Sequence, residues 1–157
     1  MDKLTEDNLA QLVKRGGIYY KVSGSSKQEI MAGIIDNLPS HKNDALLNAV
    51  MEREALISTG IENGIALPHP RIPMLEEGEK PFVTIAFLLE PFDWGTPDNN
   101  KVHTLFLIVS ESPKQHLRAL TEINFLCMQE SFLNLISSRA PKADIITAIE
   151  EAEKTWQ

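Results

Sequence analysis

Two apolar segments, residues 83–89 and 102–109, constrain the fold more than any other feature of the sequence. Both are rich in β-branched and aromatic residues, and the first is apolar except at Thr84, which predicts a strand buried on both faces. The turn-rich link at residues 93–101 favours an antiparallel hairpin. A hairpin of this kind has to be covered by other elements that remove its apolar surface from water.

Helical patterns surround the hairpin. The predicted elements, in chain order, are a helix ending at Gly16 and Gly17, a strand at residues 18–22, a helix from residue 27 capped by Ser26 and stopped by Pro39, a helix at residues 43–56, a short apolar strand at residues 65–67, the hairpin, a helix capped by Ser112, and helices at residues 131–137 and 141–154. This order predicts an α/β fold with a mixed β-sheet covered by helices. We find no domain boundary, so residues 1–157 are expected to form a single domain.

The spacing of side chains assigns faces to two of these helices. The predicted apolar stripes are Leu46, Leu47, Val50 and Ile57 in the helix at residues 43–56, and Leu117, Leu120, Ile123 and Cys127 in the helix after Ser112. Glu52 and Glu54 are assigned to a solvated face. Gln115 is expected to complete a capping box with Ser112.

The composition excludes several classes of function. The formal net charge is −7, which argues against binding to nucleic acid or to an anionic membrane surface. Cys127 is the only cysteine, so the chain can form neither an intramolecular disulfide nor a cysteine zinc cluster, and a cytoplasmic setting is expected. No apolar run approaches the ~20 residues of a membrane span, and the first residues lack the apolar core of a signal peptide.

His69 stands out among the four histidines because of its neighbours. Pro68 and Pro70 fix two φ angles, and Pro70 also favours an extended backbone at His69. The imidazole is therefore held on a stiff segment at a predicted strand end, as a reacting group requires. The pattern alone leaves an ordinary loop histidine open, so His69 is a candidate nucleophile.

His116 and Arg53 are two further candidates, both suited to an anion. His116 lies in the first turn of the helix capped by Ser112, where partial positive charge and free N–H groups favour a phosphate and lower the pKa of an imidazole. Arg53 lies on or beside the inward face of its helix, where a guanidinium needs an anionic partner. Each has a structural alternative: a backbone carbonyl partner for His116, and an acidic side chain for Arg53.

The remaining candidates are expected to be structural. His41 lies in a polar loop, His103 alternates along a strand, Cys127 fits a small core position, and Trp94 packs at a strand edge. The sequence contains no Walker A motif, no Gly-x-Gly-x-x-Gly and no His-Glu-x-x-His. A phosphoryl group would therefore come from a protein or a small molecule and not from bound ATP. We expect no cofactor and no metal ion.

The segment at residues 58–71, Ser-Thr-Gly-Ile-Glu-Asn-Gly-Ile-Ala-Leu-Pro-His-Pro-Arg, resembles the phosphorylation-site segment of enzyme IIA domains of the phosphoenolpyruvate-dependent phosphotransferase system. The resemblance is to the mannitol/fructose class and its nitrogen-regulatory relatives. The Asn-Gly-Ile-Ala-x-Pro-His core is its most specific part. It covers about residues 17–150 and continues through residues 51–54, 92–95, 102–109 and 116–120.

The resemblance implies a role for each candidate residue. His69 matches the phosphorylated histidine, His116 the second active-site histidine, and Arg53 the arginine that supports the phosphoryl group. The implied fold is a mixed sheet with helices on both faces. The implied partners are an HPr-like phosphocarrier protein and a downstream enzyme IIB or regulatory protein, without direct membrane insertion. Pro70 departs from the small residue, often Gly, that frequently follows the histidine in this family.

Three functions are compatible with these features. The first is a phosphotransferase component, a phosphocarrier that accepts a phosphoryl group on His69 and passes it on or uses it as a regulatory signal, in sugar uptake or nitrogen regulation. The second is a binding or sensor module of the same fold that regulates a protein partner and transfers nothing. The third is a hydrolase that uses His69, His103 and His116 around a metal, although the chain offers no tight ligand spacing for it.

Overall fold

The computed structural model describes residues 7–38, 43–75 and 78–156. The described part of the chain contains six helices and four strands. They are α1 (Leu9–Gly16), β1 (Ile18–Val22), α2 (Lys27–Ile35), α3 (Asn43–Leu56), β2 (Ile65–Ala66), β3 (Phe82–Phe92), β4 (Val102–Val109), α4 (Pro113–Cys127), α5 (Glu130–Ser137) and α6 (Lys142–Thr155). The α/β class is confirmed, and every predicted element is present with bounds that differ by a few residues at most.

The four strands form one mixed sheet in the order β1-β3-β4-β2. β3 and β4 are antiparallel and form the predicted hairpin, whereas β1 pairs parallel to β3 and β2 pairs parallel to β4. In the last pair Ile65 lies opposite Thr104. Because β2 and β4 run in the same direction, the segments that follow them leave the sheet at the same end.

Each face of the sheet is covered by its own group of helices. On one face α1, α4, α5 and α6 pack against side chains such as Ile85 and Ile108. On the other face α2 and α3 pack against side chains such as Ala86 and Leu107. Residues 83–88 are buried without interruption for this reason, since neither face of the strand meets water. The prediction of helices on both faces is confirmed.

The ends of the helices show how far local sequence determines them. Ser26 and Ser112 are the N-caps predicted for α2 and α4, and each hydroxyl accepts the N–H of the third following residue at 3.1 Å. Gly17 ends α1 with a φ of 88°, which a side chain would disfavour. The predicted capping box is wrong, because the Gln115 Oε1 atom accepts the backbone N–H of Glu111, one residue before the cap.

Three assignments to helix faces are wrong. Ile57 is 69% exposed because α3 ends one residue earlier, so the helical phase no longer applies to it. Leu117 is 65% exposed because two steps of three residues turn it by about 120° from the buried Ile123. Glu54, assigned to the solvated face, is only 6% exposed because it has buried hydrogen-bond partners, which are described below.

The minor structural predictions have different outcomes. Cys127 is buried as expected, and burial raises the pKa of its thiol to about 12. Trp94, expected to pack at a strand edge, is fully buried just beyond the end of β3. Pro39 and His41 lie outside the described residues. Within the described ranges, none of the helices is both long enough and apolar enough to cross a bilayer.

Candidate active site

His69 lies just beyond the short edge strand β2, within the Pro-His-Pro sequence. Backbone hydrogen bonds from two neighbouring segments fix the residues that follow this strand. The N–H of Leu67 donates to the carbonyl of Thr59 at 3.0 Å, and the N–H of Ile108 donates to the carbonyl of Pro68, also at 3.0 Å. The stiff placement expected from the flanking prolines is therefore reinforced by contacts to β4 and to the loop after α3.

The imidazole of His69 is half-buried and has one fixed hydrogen bond. Its Nδ1 atom lies 2.8 Å from the Leu67 carbonyl oxygen, so Nδ1 carries the proton and donates it, and Nε2 keeps its lone pair. Burial lowers the pKa of His69, the bond to Leu67 raises it in part, the Arg53 charge lowers it again, and the Glu54 carboxylate raises it. With its pKa below the ordinary value of 6.5, the ring is neutral at pH 7.

His116 faces His69 from the first turn of α4. The two ring centroids lie 4.5 Å apart with an interplanar angle of 47°. Burial, followed by the charges of His69 and Arg53, lowers the pKa of His116 to about 4. The Ser110 hydroxyl, 3.5 Å from Nδ1, takes the place of the backbone carbonyl considered from the sequence. Both rings are neutral at pH 7 and can lie in contact without charge repulsion.

Arg53 lies near the end of α3 and is half-buried. Its Nη1 atom donates to the carbonyl of Ile57 at 2.7 Å. Among the residues that the structure describes, no carboxylate forms an ion pair with this guanidinium, so the acidic partner considered from the sequence is not found there. The charge of Arg53 nevertheless lowers the pKa of both His69 and His116, which places it close to the histidine pair.

A small open pocket of about 120 Å³ lies next to His116. Its lining includes Pro70, Arg71, Ile108, Ser110, Pro113 and His116. Arg71 is exposed and supplies a second guanidinium, and Pro113 is the first residue of α4. A cation, a neutral imidazole and a helix N-terminus together suit a small anion.

His103 lies away from this pair, at the opposite end of β4. Its ring packs against Gly64, where any Cβ atom would collide with it, and its Nδ1 atom lies 2.6 Å from the Thr104 hydroxyl. Gly64 itself has a φ of 78°. These contacts fit the structural role expected for His103. Across the described ranges, no three His, Cys, Asp or Glu side chains are grouped so as to hold a metal ion.

Sequence reasoning missed Glu54 as a residue near the site. Its carboxylate accepts the backbone N–H of Thr59 at 2.9 Å, the Thr59 hydroxyl at 2.6 Å and the Lys27 ammonium at 2.8 Å. The available signal was its spacing of four residues from the buried Val50, which puts both side chains on one face of α3.

The sheet and the site together define a class: a small α/β protein with a pair of neutral histidines at one end of a mixed sheet. A family profile described as "Phosphoenolpyruvate-dependent sugar phosphotransferase system, EIIA 2" matches residues 11–152. This chain belongs to that phosphotransferase-system enzyme IIA family, as the resemblance of its motifs had indicated.

Curated relatives include free-standing and much longer proteins. The chain is 29% identical over 147 residues to a nitrogen regulatory protein of Pseudomonas aeruginosa, covering 90% of this chain and 93% of that protein. It is 32% identical over 111 residues to a fructose-specific EIIABC component of Mycoplasma pneumoniae, covering 69% of this chain but only 15% of that protein. A multiphosphoryl transfer protein of Escherichia coli is 29% identical and is likewise spanned over only 17% of its length.

Solved structures share the fold. The nitrogen regulatory protein IIA-Ntr from Neisseria meningitidis superposes with a TM-score of 0.74 at 19% identity, covering 89% of this chain and 97% of that one. The mannitol enzyme IIA in its complex with phosphorylated enzyme IIB from Escherichia coli gives 0.70 at 14% identity, covering 87% and 95%. At these identities the agreement concerns the arrangement of helices and strands.

Proposed function

We propose that this protein is a phosphocarrier that accepts a phosphoryl group from an HPr-like phosphohistidine protein on Nε2 of His69. It then passes the group to an enzyme IIB or uses it as a regulatory signal towards a protein partner. The observation that carries the proposal is the neutral His69 ring, whose Nδ1–H is held by the Leu67 carbonyl so that Nε2 is unprotonated, and which contacts the ring of His116. A cytoplasmic location remains a prediction from the single cysteine.

The number of protons on the His69 ring does not change during the transfer. The Nε2 lone pair forms the new N–P bond while the donor's N–P bond breaks, and that electron pair returns to the donor's ring nitrogen. His69 keeps its Nδ1 proton, so its phosphorylated ring carries positive charge and its bond to the Leu67 carbonyl becomes charge-assisted. Both end states are phosphoramidates of similar energy, which makes the step reversible.

The neighbours of His69 provide the electrostatic stabilisation of the phosphoryl oxygens. The transition state of phosphoryl transfer is loose and carries its charge on the equatorial oxygens, so catalysis is mostly positioning and charge stabilisation. Arg53 supplies a full positive charge, and His116 lies where the N-terminus of α4 adds partial charge. Pro70 has no N–H to offer, which leaves more of this stabilisation to the side chains.

A phosphorylation assay with a His69→Ala variant tests the proposal. Purified protein is incubated with a phosphorylated HPr-like carrier bearing a radioactive phosphoryl group, and acid-labile label is measured on the chain. Wild type and a His103→Gln variant, which changes a histidine at the far end of β4, should take up label, whereas His69→Ala should take up none. Acid-labile label on the His69→Ala variant would contradict the assignment.

The sensor module is kept as a second candidate because the Pseudomonas relative that this chain spans almost completely is named a nitrogen regulatory protein. In that case the chain binds its protein partner without receiving a phosphoryl group. Binding that persists when no carrier phosphorylates the wild type would favour this alternative over the phosphocarrier.

A further inference from the structure

The Glu54 carboxylate is a buried charge on the helix that carries Arg53. Its side chain is only 3% exposed, and it forms an ion pair with Lys27, the first residue of α2, at 2.8 Å. The Lys27 ammonium also lies 5.0 Å from the ring centroid of Trp94. Both carboxylate oxygens are used, because Oε2 accepts from Lys27 and from the Thr59 N–H while Oε1 accepts from the Thr59 hydroxyl.

Thr59 connects this buried ion pair to His69. Glu54 accepts both the N–H and the hydroxyl of Thr59, which fixes the position of this residue in the loop after α3. The Thr59 carbonyl in turn accepts the Leu67 N–H, and the Leu67 carbonyl accepts the Nδ1–H of His69. Hydrogen bonds joined through the backbones of Thr59 and Leu67 therefore connect the carboxylate to the ring nitrogen that sets the tautomer.

We propose that Glu54 is a positioning residue of the His69 site, which acts through Thr59 and Leu67 to hold Nδ1–H and to aim Nε2 at the phosphoryl group. The inference rests on the proposed function, because that function makes Nε2 the atom that accepts the phosphoryl group. The hydrogen-bond geometry that carries it belongs to the unphosphorylated protein and can be tested there.

The negative charge of Glu54 has a role that a neutral hydrogen-bonding side chain at this position would lack. A buried ion pair is not needed for stability alone, since well-packed apolar residues of similar volume often replace one without loss. His69 gains positive charge on its ring when it is phosphorylated, and a nearby carboxylate stabilises that form. The same carboxylate raises the pKa of His69, whereas Arg53 on the same helix lowers it.

Few other charged groups in the described part of the chain lie near the His69 ring. Arg53 and Glu54 come from α3, and Arg71, which lines the pocket beside His116, comes from the segment after His69. His116 from α4 is neutral at pH 7. Lys27 from α2 is engaged with Glu54. Neutralising Glu54 therefore removes the principal negative charge that acts on the His69 ring within the described residues.

The primary test is a Glu54→Gln variant, because Gln offers one acceptor oxygen where Glu54 uses two and places an N–H₂ group against a donor. Ring nitrogen signals of His69 are recorded by long-range ¹H–¹⁵N correlation across a pH titration of unphosphorylated protein. We expect a smaller Nδ1–H fraction and a lower His69 pKa, with transfer from the carrier slowed about tenfold or more. Glu52→Gln, an exposed change two residues away on α3, should leave all three at wild-type values.

A second pair of variants tests the connection if Glu54→Gln does not fold. Thr59→Val removes the hydroxyl that binds Glu54, and Thr59→Ser retains it, so Val should shift the tautomer of His69 and Ser should not. Wild-type tautomer and pKa in folded Glu54→Gln, or in folded Thr59→Val, would overturn the proposal. Because both readouts use unphosphorylated protein, failure of the wild type to accept a phosphoryl group would refute the proposed function separately.

Discussion

Arg53 is the residue whose charge is expected to act most directly on the proposed phosphoryl transfer. It lowers the pKa of both histidines and has a backbone carbonyl as its hydrogen-bond partner. A guanidinium of this kind can turn towards an incoming phosphoryl group without first breaking an ion pair. Its contribution to transfer should therefore be electrostatic and visible in the histidines themselves.

An Arg53→Ala variant should slow phosphoryl transfer about a hundredfold, because one cationic partner of the transition state is lost. In the free protein the pKa of His69 and of His116 should both rise, since removing a positive charge favours protonation. NMR titration and single-turnover transfer measure the two effects. Lys154→Ala, which removes an exposed charge from α6, is the matched control. Unchanged pKa values together with wild-type transfer would show that Arg53 lies outside the site.

The sequence singles out candidate residues where the signal is local. His69 is a candidate because of its two flanking prolines and His116 because of a capped helix start, and both signals lie within a few positions of the residue. Glu54 was misassigned because it looks like its exposed neighbour Glu52. Its burial depends on Thr59 and Lys27, which reach it only through the tertiary fold.

At the scale of secondary-structure elements, α1 packs closely against β3 at Gly16. The Cβ atom that an alanine would add at Gly16 would collide with the carbonyl of Val83 and would also meet the Thr84 side chain. The hydroxyl of Thr84 in turn donates to the carbonyl of Gly16 at 3.0 Å. The helix can lie this near the strand only because position 16 has no side chain.

Gly16→Ala should destabilise the protein by about 3 kcal/mol, since the helix has to move away from a strand backbone that cannot yield. Gly33→Ala is the matched control: it lies in α2, where an added Cβ meets nothing within 4 Å. That change should be neutral or stabilising by up to about 1 kcal/mol. Urea denaturation measures both. Equal stability of the two variants would contradict the close packing of α1 on β3.

Element bounds were predictable where the chain marks them with caps and glycines, as at Ser26, Ser112 and Gly17. The buried and exposed faces of the helices were less predictable than their ends. Spacing of three residues drifts around a helix, so Leu117 appeared to continue a stripe from which it is displaced. The pairing of β3 with β4 followed from a short link, whereas the places of β1 and β2 in the sheet depend on contacts between distant segments.

At the scale of the whole molecule, the histidine pair makes the fold sensitive to mild acid. His116 has a pKa of about 4 in the folded protein and an ordinary value of 6.5 in the unfolded chain. Between these values the unfolded chain binds the proton and the folded protein does not. The free energy of unfolding therefore falls as the pH falls from about 6.5 towards 4. The lowered pKa of His69 adds to the same trend.

A His116→Gln variant should lose less stability than wild type between pH 6.5 and pH 4.5, because it removes one of the groups that resist protonation in the folded state. The measurement is urea denaturation at several pH values. The reference is pH 7.5, where His116 is neutral in both states and the difference between the two proteins reports packing alone. Parallel curves over the whole range would refute the lowered pKa.

The covering of β2 has a consequence for how a protein partner could bind beside His69. The outer side of this edge strand is already bonded, since the Ile61 N–H donates to the Ile65 carbonyl at 2.8 Å and Gly60 bridges to Ala66. A visiting chain therefore cannot extend the sheet beside His69 by strand addition, and has to be recognised through side chains. An encounter without a backbone ladder can end quickly, as the proposed phosphocarrier role would require.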